Sequence, residues 1–115
     1  MKDVRNRASR RYLKRYALKF GFEQPEKIGF TNDLNDQGLF IRSAIVVKPG
    51  AKIQVEISHP DGPIALIGLV RWAKKVPAQV IHKMKGGMGV EIISFLSGEE
   101  RYRNLCDQLD GQSGE

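Results

Sequence analysis

The chain has 115 residues, 41% apolar and 28% charged, with a net charge of +6, which fits one ordinary globular domain and leaves no room for a second independent core. No stretch approaches the roughly 18 consecutive apolar residues of a membrane span, and the charged N-terminus lacks the apolar segment of a signal peptide. The single cysteine, Cys106, cannot close an internal disulfide, so a cytoplasmic protein without membrane insertion is expected.

The charge is unevenly spread. Residues 1–19 hold Lys2, Arg5, Arg7, Arg10, Arg11, Lys14, Arg15 and Lys19 against Asp3 alone, a net of +7, so the remaining residues carry −1. With few apolar residues of its own, this segment reads as a flexible basic arm over residues 1–15, or as a solubilising tail.

Strand patterns follow. Tyr16 to Phe22 and Lys27 to Thr31 are the first two expected strands, and a turn over Asp33-Leu-Asn-Asp-Gln-Gly38 leads to a third from Leu39 to Ser43. After Lys48-Pro49-Gly50, a turn signal, Ile53, Val55 and Ile57 alternate with Lys52, Gln54, Glu56 and Ser58, as a strand with one wet face requires. His59 to Pro63 reverses the chain into a long apolar strand from Ile64 to about Ala73. Lys74 to Lys85 then reads as a hairpin connection, and a last strand spans Met88 to about Phe95.

At the end the period changes. Ser97-Gly-Glu-Glu100 has the spacing of a capping box, and Tyr102, Leu105, Cys106 and Leu109 form one helical apolar stripe. The expected fold is mainly β, a small six-stranded antiparallel β-barrel with a C-terminal α-helix over one open end, because closure removes exposed strand edges. Residues 16–110 form this unit, and residues 111–115 read as a disordered tail.

Two motifs carry the chemistry. Arg11-Tyr-Leu-Lys-Arg15 clusters guanidinium groups, and Asp33-Leu-Asn-Asp-Gln-Gly38 is an acidic, glycine-ended turn eighteen residues further on. Guanidinium groups hydrogen-bond guanine bidentately, stack on bases and neutralise phosphate, and a carboxylate accepts from the guanine N–H edge. The pair suits a guanine-bearing anion, while Asp33 and Asn35 equally suit a turn that bonds its own backbone.

Over nearly its whole length the chain resembles the PilZ domain, a bacterial receptor for cyclic di-GMP. That family has Arg-x-x-x-Arg just before its first barrel strand and Asp/Asn-x-Ser-x-x-Gly after the second. Arg11 and Arg15 precede Tyr16-Ala-Leu-Lys-Phe20, and Asp33, Asn35 and Gly38 stand at the fixed positions of the second motif. The Gly-Leu-Val-Arg-Trp72 and Gly87-Met-Gly-Val-Glu-Ile92 strands and the closing helix are also similar. The departure is Asn35 in place of serine, longer by a carbonyl group yet also both donor and acceptor. The resemblance implies a cyclic di-GMP receptor or adaptor, without a further cofactor, that signals to a downstream protein partner. Arg11 and Arg15 would serve guanine and phosphate with Arg10 beside them, Asp33 would accept from guanine, Asn35 would bond phosphate or base, and Gly38 would supply backbone freedom.

Other residues carry less. His59 and His82 lack companions at metal spacing, Trp72 reads as a core or barrel-mouth residue, and Cys106 as a small buried hydrophobe. No nucleophile, base and orienter assemble, so no enzyme and no catalytic residue is expected. The alternatives are a PilZ-like interaction module without nucleotide binding and, ranking below it, a nucleic-acid binder, since no row of exposed aromatics stands ready to stack bases.

Overall fold

The computed structural model describes residues 11–81 and 83–114, the last four by their backbone alone. Its strands are β1 (Tyr12–Leu13), β2 (Ala17–Gly21), β3 (Lys27–Leu34), β4 (Gly38–Arg42), β5 (Lys52–Ile57), β6 (Ile64–Lys74) and β7 (Gly87–Ser97), followed by helix α1 (Glu99–Gly114). The antiparallel order β3-β2-β5-β6-β7-β4 returns from β4 to β3, closing a six-stranded barrel with β1 as a short extra strand on β3.

Side-chain alternation decides which residues fill it. On β5, Ile53, Val55 and Ile57 are buried while Lys52 and Glu56 face out. Leu18 and Phe20 of β2 and Ile64, Leu66 and Val70 of β6 join the same core, where burial of each large apolar side chain contributes about 1.5–3 kcal/mol. The register of β6 on β7 shifts at Ala65/Leu66, Ile67/Gly68 and Val70/Trp72, and such bulges sharpen the bend that closure demands. All four residues of the helical stripe are buried, so α1 packs on the core as its period requires.

Several boundaries differ from the sequence expectations. Strand β3 runs on through Asp33 and Leu34, because this end is paired on both sides, with Leu39 and Phe40 of β4 and with Tyr12 and Leu13 of β1. The barrel consequently recruits residues assigned to the arm. Tyr12 is buried in the core, and Thr31 bridges the break between β1 and β2: its hydroxyl accepts from the Tyr16 amide at 2.8 Å and donates to the Lys14 carbonyl at 2.6 Å.

The helix begins one residue later than the expected capping box. Gly98, at φ +79°, gives its carbonyl to the Tyr102 amide, while Ser97 still belongs to β7. Glu99 and Glu100 place negative charge in the first turn, where the helix dipole favours it. The helix also continues to Gly114, into the expected tail, since each added residue gains a backbone bond once a helix is nucleated. The first ten arm residues, His82 and Glu115 lie outside the described residues.

Candidate functional site

The turn motif is built from its own backbone outward. Asn35 is buried, and its Oδ1 accepts from the amides of Gln37 and Gly38, both at 2.9 Å, while its own amide donates to the Gly38 carbonyl at 2.9 Å. Beneath it, the Tyr102 hydroxyl of α1 donates to the Asn35 carbonyl at 2.7 Å and lies 3.3 Å from that of Gly38. Burial first, then Cys106 and Asp36, pushes the Tyr102 pKa well above its ordinary value, which keeps this donor protonated. Burial, helped by Asp36, likewise pushes the Cys106 thiol up to about 12.

Two expectations change here. The Asn35 oxygen serves the turn, a task a serine hydroxyl also performs in turns of this kind, so the departure from the family pattern has a structural reading. Gly38 does not supply unusual backbone torsion, since it is not among the glycines with positive φ. Its role is close approach: a Cβ there would collide with the Val90 carbonyl of β7.

Beside the backbone pairing of β1 with the end of β3, one side-chain contact joins the arm motif to the turn motif. Arg11 Nη1 donates to Asp33 Oδ1 at 3.1 Å, and the side-chain Nδ2 of Asn32 donates to the other Asp33 oxygen at 3.0 Å. The Arg11 side chain is 47% exposed and that of Asp33 15%. A carboxylate has about four lone-pair sites, so capacity remains for a further donor. Between the two arginines, the Tyr12 hydroxyl donates to Asp110 of α1. Arg15 points elsewhere, its guanidinium 4.1 Å from the centre of the Phe30 ring. The structure thus gathers Arg11, Asp33, Asn35 and Gly38 and leaves Arg15 apart; Arg10 lies outside the described residues.

Arg11, Asn35 and Gly38 line a cleft of about 860 Å³ between the turn, β7 and the start of α1. Sequence reasoning missed three further residues on its walls. Arg71 pairs with Glu91 at 3.5 Å, and Arg103 donates to the Asp36 carbonyl at 3.0 Å while lying 3.6 Å from Glu99. Trp72, expected in the core or at the barrel mouth, is 49% exposed, stacks on Phe40 with ring centres 5.1 Å apart and lies over Gly89, so of those two places the core is the one it does not occupy. The register shift at Val70/Trp72 turns it outward, an event that strand alternation cannot foresee. The cleft therefore offers the guanidinium groups of Arg11, Arg71 and Arg103, the carboxylates of Asp36, Glu91 and Glu99 and an aromatic face, with Asp33 joined to it through Arg11.

Among the described residues, no group of three or more His, Cys, Asp or Glu side chains could hold a metal ion, and no helix is long and apolar enough to cross a membrane. In comparisons with known proteins, the family model described as PilZ domain matches residues 5–108. No curated protein matches the chain.

Proposed function

The chain belongs to the PilZ domain family, and from that premise we propose that it is a receptor for cyclic di-GMP, an adaptor and not an enzyme, which passes the signal to a partner protein. The observation that carries this reading is the contact between Arg11 and Asp33, which joins the two motifs across 22 positions of sequence. Neither motif suffices alone; in contact, they set a guanidinium beside a carboxylate at the mouth of a cleft.

The exchange on binding is energetically reasonable. A half-exposed ion pair is worth about 0–1 kcal/mol, whereas a hydrogen bond to a charged group contributes about 1.5–3 kcal/mol. Asp33 then accepts from the guanine edge, Arg11 turns to base or phosphate, and Arg15 leaves Phe30 to join it. Arg10 adds a third guanidinium, and Asn35 contributes by shaping the turn. Contacts from Tyr12 to Asp110, from Tyr102 to Asn35 and from Arg103 to Asp36 tie the two motifs to α1, so a rearranged arm acts on the helix directly.

A specific observation also favours the second reading, an interaction module without nucleotide binding: Arg11 and Asp33 are already paired with one another, and the Asn35 oxygen is engaged in the turn. Calorimetric titration with cyclic di-GMP separates the two. The receptor reading expects saturable binding that weakens about ten- to a hundredfold in Arg11→Ala and in Arg15→Ala. Absence of binding to the native chain leaves the interaction module standing.

A further inference from the structure

A second concavity lies on the outer face of β3 and β4, apart from the cleft. Strand alternation turns Ile28 and Phe30 outward while Gly29 and Thr31 face in. Across from them stand Leu13, Arg42 and Ile81, enclosing about 610 Å³. The apolar members are unusually open for their size: Leu13 is 79% exposed and Ile28 64%, with Ile45 beyond them at 49%. A single exposed aliphatic residue needs no explanation, whereas a contiguous group marks a contact surface.

The charge of this hollow is one-sided. Lys14, Arg15 and Arg42 line it and, among the described residues, no carboxylate does. Arg42 is held by backbone carbonyls of Ile81 and Met84 and has no side-chain counter-ion among its hydrogen bonds. Its Nε is, among the described residues, the one buried side-chain nitrogen or oxygen atom without a partner. Arg42 therefore brings its positive charge to the wall of the hollow with only backbone carbonyls bonded to it.

We propose that this hollow is a docking site for an acidic segment of a partner protein, whose apolar side chains enter between Leu13, Ile28 and Phe30 while its carboxylates meet Lys14 and Arg42. Charge complementarity selects this occupant. A second copy of the chain is disfavoured by its net charge of +6, and a concave site suits inserted side chains better than the flat surface of a bilayer. The site goes beyond the nucleotide reading, because it needs neither Asp33 nor the turn. It shares Arg15 with that reading, so Arg15 is left untouched in the test.

The test is a titration of the isotope-labelled full chain with an amphipathic peptide of alternating Leu and Glu, followed by amide chemical shifts. The same peptide with Lys in place of Glu, anionic vesicles and duplex DNA are the comparison arms. Shifts should cluster at Leu13, Ile28, Phe30 and Ala44 and spare Gly38 and Val90, and the Lys peptide should produce none. Ile28→Glu, an exposed change expected to leave the melting temperature unaltered, should weaken the acidic peptide about tenfold or more, and Arg42→Gln should weaken it less. Arg11→Ala should leave it unchanged, which separates this site from the nucleotide cleft. The proposal is overturned if the peptide shifts map elsewhere or are absent, if the two peptides act alike, if vesicles or DNA alone perturb the hollow, or if Ile28→Glu binds normally.

Discussion

The turn at Asn35 and the arm segment at Arg11–Arg15 meet where Arg11 enters the cleft but are held in opposite ways. Asn35 and Gly38 of the turn are buried, the amides of Gln37 and Gly38 are bonded to Asn35 Oδ1 and the Asn35 carbonyl to Tyr102. The arm has a two-residue strand, an exposed ion pair and a guanidinium lying on Phe30. Acceptors are prebuilt and donors are adjustable. Rigid turns lower the ordering cost of binding, while loosely held cations can be redeployed by a ligand.

The sharpest way to break this comparison is at the turn's centre. Asn35→Ala removes the acceptor of two amides, one of them buried, and should lower unfolding free energy by about 2–4 kcal/mol in a urea titration. Arg15→Ala touches only an exposed cation and should stay within about 0.5 kcal/mol of native stability. Under the proposed function, though, its affinity for cyclic di-GMP should fall about ten- to a hundredfold by calorimetry, and Arg15→Lys should not restore it, since an ammonium lacks the planar fork. Equal stability losses in the two alanine variants would erase the distinction between fixed and adjustable halves.

A smaller effect concerns pH. Tyr102 and Cys106 both have folded-state pKa values raised by burial, so the folded chain holds these protons more tightly than the unfolded one. Their contribution is complete below the unfolded values and is lost as pH rises, for Cys106 between about 9 and about 12 and for Tyr102 from about 10 upward. Melting temperature should therefore decline on the alkaline side, and Cys106→Ala should flatten the part that starts near pH 9. The smallest expected change is that of Asn35→Ser: a hydroxyl can replace the turn acceptor, so stability should move by less than about 1 kcal/mol and cyclic di-GMP affinity should hold or improve.

The barrel was legible because one wet face leaves a period-two pattern, clear at Ile53, Val55 and Ile57, and the helix because its stripe repeats at helical spacing. The end of β3 was not. Thr31-Asn-Asp-Leu-Asn-Asp36 is rich in residues that favour turns, yet Asp33 and Leu34 are held as strand by partners on both sides, one of them in the supposed arm. The candidate site divides the same way. Local chemistry marked Arg11, Asp33 and Asn35, and Asn35 adopted the self-bonded turn that its residue type favours. Arg15 on Phe30, Trp72 on Phe40 and the cleft cations Arg71 and Arg103 depend on which strands become neighbours, a long-range outcome that spacing does not encode.

Amide hydrogen exchange with and without cyclic di-GMP reads both halves of the site at once. The account predicts that protection rises at Leu13, Lys14 and Arg15, while Gln37 and Gly38, whose amides are already bonded to Asn35, change little. It would be contradicted by saturating ligand that leaves the arm amides unaltered, or by protection appearing in the turn alone.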